Sequence, residues 1–124
     1  FEIDEIRRVR TKIRKEQEQL PNNYPNILII FVRNFNLLTR NIDRVISELE
    51  EEVYEYPHLL FVIIAGKYLG FGEDKSFMIG QHVYIEKTRS DRTVEKFIVL
   101  LNRFCDYKVS PSVITKVYNS LRSM

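Results

Sequence analysis

Two rhythms of apolar residues follow one another along this chain, and their order predicts an α/β fold. Ile3, Ile6, Val9, Ile13 and Leu20 recur at steps of three, four or seven. At about 100° per residue they form one stripe of a helix running from about Glu2 to Leu20. Pro21 and the turn-forming cluster Asn22, Asn23, Tyr24, Pro25 end it, since proline cannot continue a helix and disfavours helical geometry in the residue before it. The rhythm then changes. Ile27, Leu28, Ile29, Ile30, Phe31 and Val32 are apolar without interruption, which predicts a strand from Asn26 to Arg33 lying mid-sheet and covered on both faces.

Asn34 to Asn36 turn the chain, and Ile42, Val45, Ile46, Leu49 and Val53 restore a helical stripe that runs to about Tyr56 and stops at Pro57. A second uninterrupted apolar run, within His58 to Ala65, repeats the buried-strand pattern. Two buried strands joined by a helix imply a right-handed parallel crossover. Gly66 to Gly80 reads as a loop or hairpin, and His82 to Thr88 alternates as an edge strand would, with Val83 and Ile85 on one face and Tyr84 and Glu86 on the other. Ser90 or Asp91 can cap a helix built on Val94, Phe97, Ile98, Leu101 and Phe104, enclosed nearly all round because Val99 and Leu100 are apolar too. Ser110 and Pro111 open a last helix carrying Val113, Ile114, Val117, Tyr118 and Leu121. The expected fold is α/β: a mixed sheet of about three or four strands with two parallel central strands, flanked by about four helices. Residues 1–124 form one such domain, or a fragment of one that lacks N-terminal strands, because the first helix begins at once from Phe1, which is not an initiator methionine.

Composition narrows the class without naming an activity. With 124 residues, 44% of them apolar and 29% charged, the chain is ordinary globular material, neither a disordered tail nor a membrane protein. Its longest apolar run, Ile27 to Val32, is far too short to span a bilayer. The single cysteine, Cys105, sits in the expected apolar helix and has no internal partner, so a buried thiol and a cytoplasmic setting are expected. The net charge is only +2, but Arg7, Arg8, Arg10, Lys12, Arg14 and Lys15 crowd the first helix while Asp43, Glu48, Glu50, Glu51, Glu52 and Glu55 load the second. Such a lopsided field orients a charged partner even when the total is small.

Arg7, Arg10 and Arg14 leave the first helix on one side. They are the candidate nucleic-acid-binding residues, acting as phosphate clamps; the competing reading is a solvated face paired with Asp4 and Glu18. The Gly66 to Gly80 segment has neither the spacing before Gly-Lys nor the hydroxyl residue after Lys67 that a phosphate-binding loop needs. Phe71 at its tip suits a lid or a partner contact. Glu73-Asp74-Lys75 and Asp106-Tyr107-Lys108 have the acid-x-lysine spacing of metal-dependent nucleases, but one falls in a loop and the other in a turn between helices, not on a core strand. His58 and His82 with one cysteine make no transition-metal site, and no nucleophile-elbow pattern occurs. His58, at a strand start, reads as structural or solvent-facing.

The succession of a charged helix ending in Gln19-Leu20, the strand Asn26 to Phe31, a helix, the strand Leu59 to Ala65, a glycine-containing excursion, the strand Val83-Tyr84-Ile85 and a closing helix resembles the second half of a PD-(D/E)XK, or restriction-endonuclease-like, domain over about Ile3 to Phe104. The resemblance implies a nucleic-acid-binding α/β core with DNA or RNA as partner, and magnesium as cofactor only if a preceding hairpin carries the proline-aspartate and acid-x-lysine residues. It transfers no catalytic residue to this chain. Two other readings stand beside it. One is a non-enzymatic module that dimerises through the apolar last helices. The other is a small-molecule sensor with its ligand at the carboxyl ends of the parallel strands, near Arg33 to Asn36 and Gly66, with Asn34 and Asn36 as polar contacts.

Overall fold

A computed structural model of the chain describes residues 2–33, 35, 38, 40–108 and 110–123. Among them the order is α1 (Glu2–Gln17), β1 (Asn26–Val32), α2 (Ile42–Val53), β2 (Leu59–Leu69), β3 (Lys75–Ile79), β4 (His82–Thr88), β5 (Thr93–Leu101) and α3 (Pro111–Ser123). The strands form one mixed sheet in the order β1-β2-β5-β4-β3, in which β1 and β2 are parallel and the other neighbours antiparallel. The α/β class and the parallel β1–α2–β2 unit are as expected; the described residues hold five strands and three helices instead of about three or four strands and about four helices.

The extra strand is the segment expected to be a helix. Thr93–Leu101 is β5, the central strand, hydrogen-bonded on both sides. Val94, Phe97, Ile98 and Leu101 have helical spacing, but a strand buried on both faces is apolar at nearly every position and satisfies either period. Its β-branched and aromatic content favours the strand. Asp91 caps a turn instead of a helix: its carboxylate accepts the Thr93 N–H at 3.0 Å, and Arg92 takes the left-handed conformation, φ +64°, in the β4–β5 turn. The closing helix in the resemblance to a PD-(D/E)XK half is therefore a strand, and of the two last helices only α3 exists to meet a second copy. Cys105 lies half-buried in the loop after β5.

Strand positions differ too. β1 was expected mid-sheet, yet among the described residues it pairs only with β2 and forms an edge. Leu28, Ile30 and Val32 are buried, whereas Ile27, Ile29 and Phe31 are 46%, 48% and 73% exposed on the other face. β4, expected at an edge, is flanked by β5 and β3. The Gly66 to Gly80 segment is not all loop. β2 runs on to Leu69, and β3 returns to β4 through a two-residue turn, Gly80-Gln81, with Gly80 at φ +61°, the conformation that such a hairpin requires of its first turn residue.

Helices α1 and α2 cover one face of the sheet. Ile6, Val9 and Ile13 of α1 and Val45, Ile46, Leu49 and Val53 of α2 meet Leu28, Ile30, Val62, Ile64, Ile98 and Leu100 in the larger core. On the opposite face Leu121 and Val117 of α3 pack with Phe61, Ile63, Val83, Ile85, Phe97 and Val99. The Ser110 hydroxyl accepts the Ser112 N–H at 3.3 Å at the start of α3, as its Ser-Pro opening predicts. No helix among the described residues is long and apolar enough to cross a membrane.

Buried polar groups tie the layers. His58 bonds to the Gln17 carbonyl at 3.1 Å, joining the start of β2 to the end of α1, which makes it structural. The Asn102 amide nitrogen, at the end of β5, donates to the carbonyls of Val53, Tyr56 and Leu59 at 2.9–3.2 Å. Backbone carbonyls left at the end of α2 thereby gain a donor that the helix cannot supply itself.

Candidate functional site

The two charge blocks of α1 and α2 face each other. Glu52, 1% exposed, accepts from Arg10 Nε at 3.2 Å, Arg14 Nη2 at 2.8 Å and the Tyr56 hydroxyl at 2.5 Å. Arg10 also meets Glu48 at 3.2 Å and Glu51 at 3.5 Å. Burial pushes the Glu52 carboxyl up, but the hydrogen bonds from Tyr56, Arg14 and Arg10 outweigh it and hold the group below its ordinary value. The Tyr56 hydroxyl, half-buried beside that carboxylate, is pushed up to about 12 by that burial and by Glu52. Arg7, Arg10 and Arg14 thus do share one groove, of about 400 Å³, with Thr11, Arg44 and Glu48. Two of the three are already occupied by the glutamates of α2, partners that lie about forty residues away in sequence.

The other flank of α1 has no such acidic neighbour. α1 runs back along β1, so its first half stands beside the strand's carboxyl end. There β1 stops at Val32, opposite Gly66, while β2 continues to Leu69. In the notch a cleft of about 590 Å³ opens, lined by Glu5, Arg8, Val9 and Lys12 of α1, Phe31, Val32 and Arg33, Ala65, Gly66 and Lys67 of β2, and Glu95 and Phe97 of β5. Its apolar lining comes from both sides of the sheet, Val9 and Val32 from the α1 side and Ala65 and Phe97 from the α3 side, so the cleft wraps over the strand ends, and exposed Phe31 stands beside Ala65 on the α3 side.

The charges around this lining are unequal. Of the two acids, Glu5 pairs with Arg8 at 3.5 Å and Glu95 with Arg89 at 2.7 Å. Lys12, Arg33 and Lys67 are exposed and form no ion pair within 4 Å among the described residues. Lys12 instead donates to the Phe31 carbonyl at 3.4 Å, which places its ammonium over the edge strand. The cleft therefore carries a cationic excess over an apolar surface, a combination that suits an anion with an apolar body.

Gly66 shapes this corner. A Cβ there would overlap the Phe35 side chain, which is buried against the strand. The ligand contacts expected near Arg33 to Asn36 are met in part: Arg33 and Gly66 line the cleft, while Asn34 and Asn36, with the turn they were expected to make, lie outside the described residues.

The acid-x-lysine triplets gain no support as metal sites. The Glu73 side chain is exposed and meets Lys75 at 4.0 Å, Asp106 lies in the loop after β5, and no cluster of His, Cys, Asp or Glu able to hold a metal occurs among the described residues. A buried acid and lysine do meet elsewhere, on neighbouring strands. Glu86 of β4 accepts from the Glu73 N–H at 2.7 Å and the Tyr84 hydroxyl at 3.0 Å, and lies 3.4 Å from Lys96 of β5. Sequence spacing could not show this pair, because Glu86 and Lys96 become neighbours only through the β4–β5 register. Its hydrogen bonds are satisfied internally and fasten the Gly70–Asp74 loop to the sheet.

Comparison with known proteins yields no match, whether to a family model, to a curated protein or to a solved structure.

Proposed function

We propose that this chain is a nucleic-acid-binding module whose contact surface is the cleft at the carboxyl ends of β1 and β2. The observation that carries the proposal is the separation of charge on α1. Arg10 and Arg14 are matched by the acidic face of α2, whereas Lys12, Arg33 and Lys67 stand around an apolar cleft and form no ion pair within 4 Å among the described residues, Lys67 facing Glu95 across the strands and acting on Asp91 at longer range. A phosphate chain is the polyanion that such cations would hold, each contact releasing counterions. The proposal concerns binding alone.

The test is fluorescence anisotropy of a labelled oligonucleotide titrated at several salt concentrations. Three phosphate contacts predict a slope of log K against log salt of about −2 for a single strand. Lys12→Ala, Arg33→Ala and Lys67→Ala should each weaken binding and flatten that slope by about 0.7. Arg7→Ala, an exposed change on the opposite flank of α1, should leave both unaltered. Indifference of binding to the three cleft changes removes the reading.

A second reading has an observation of its own. The cleft stands where parallel strands end, the place where open α/β sheets receive small ligands, so a small phosphorylated or carboxylate metabolite is the alternative occupant. Such a ligand would raise the melting temperature of the protein in a metabolite screen, and the rise would vanish in Arg33→Ala.

A further inference from the structure

We infer that the cleft selects unpaired nucleotides over duplex, with the Phe31 ring as the platform on which a base stacks. This inference rests on the nucleic-acid reading above and specifies the form of nucleic acid. Phe31 is 73% exposed at the lip of the cleft, on the same face of the sheet as the apolar Ala65 and Phe97 that line it. A duplex presents phosphates and groove edges to a protein and keeps its base faces stacked inside. An apolar recess and an exposed ring would gain nothing from it, whereas a single strand offers every base as a π-face.

The placement of the cations leads to the same form. Lys12, Arg33 and Lys67 come from a helix, the end of one strand and the end of another, so they surround a recess instead of lining one exposed helix face. A helix that read a major groove would present a row of basic side chains to solvent. The α1 row that has this spacing includes Arg10 and Arg14, and α2 covers it with Glu48, Glu51 and Glu52. The volume, about 590 Å³, lies within the range of pockets that enclose a small ligand, and charged walls around an apolar lining suit a base with its phosphate attached.

The experiment compares one sequence of about a dozen nucleotides as a labelled single strand and as a duplex, by anisotropy at one fixed moderate salt concentration. The single strand should bind at least about tenfold more tightly. Phe31→Ala should weaken single-strand binding by about five- to 150-fold and leave duplex binding unchanged, and Phe31→Tyr, which keeps the ring, should restore it. Because Phe31 lies largely outside the core, these variants should keep the parent melting temperature, which circular dichroism verifies. Equal binding of both forms, or less than a twofold effect of Phe31→Ala on the single strand, overturns the inference while the nucleic-acid reading survives through Lys12, Arg33 and Lys67. Absence of binding to either form overturns both.

Discussion

Replacing Glu52 by Gln should lower the stability of the protein by about 2–4 kcal/mol. Glu52 is 1% exposed and accepts from two guanidinium groups and a phenol. Breaking a buried ion pair from one side costs about 3–5 kcal/mol when the remaining charge is stranded without water. Here it is not stranded: the Arg14 side chain is 58% exposed, and Arg10, 26% exposed, keeps Glu48 and Glu51. Gln also retains one carbonyl acceptor for the cluster. These two facts place the loss below the upper limit, and the burial of residue 52 itself, with the weakened acceptor of the half-buried Tyr56 hydroxyl, keeps it well above that of a surface pair.

Urea unfolding followed by circular dichroism measures the loss directly, as a lower midpoint at unchanged slope, with a fall in Tm on the order of 10 °C. Acid adds a second signature. The folded-state pKa of Glu52 lies below its ordinary value of 4.5, so its contribution is fully present above that value and is lost as pH falls through the folded pKa. Glu52→Gln should remove this part of the acid sensitivity and leave the part due to Glu86, which is held low in the same sense. A Glu52→Gln midpoint equivalent to within about 0.5 kcal/mol of the parent, a change typical of surface sites, would refute the view that the α1–α2 charge cluster fastens the helices together.

Two further outcomes follow from the core. His82 is buried, with Nδ1 accepting the Leu101 N–H at 3.0 Å and Nε2 directed at Glu50, so a second ring proton must displace the Leu101 bond. Burial outweighs Glu50 and lowers its pKa from the ordinary 6.5; stability should therefore decline as pH falls below about 6.5 and stop declining below the folded pKa. Urea midpoints between about pH 7 and pH 5 test this: His82→Gln should flatten the profile, and a parent profile already flat contradicts the assignment. Gly66→Ala should cost about 1–3 kcal/mol, because the added methyl overlaps Phe35; a parent-like melting temperature would show that Phe35 does not pack on this strand.

The sequence alone determined the class and the first half of the topology. Helical stripes at Ile6, Val9, Ile13 and at Val45, Ile46, Leu49, Val53, broken by uninterrupted apolar runs, carry a signal of period that only an α-β-α-β order satisfies, and the Ser-Pro opening of α3 is a local cap visible in two residues. Tertiary structure decided the rest, for reasons of burial and partnership. Thr93–Leu101 became a strand because β2 and β4 hydrogen-bond both of its edges while the helices on either side of the sheet cover both of its faces, and a segment apolar all round has no period to read. β1 took an edge because the order β1-β2-β5-β4-β3 is set by pairing between distant segments, and the same six apolar residues suit a centre or a margin. The basic residues of α1 were plain in the sequence, but which of them are matched was not. Arg10 and Arg14 turn toward glutamates about forty residues away, while Lys12 turns toward Phe31 and the cleft, because the packing of α1 on the sheet sets the side of the helix on which each charge emerges.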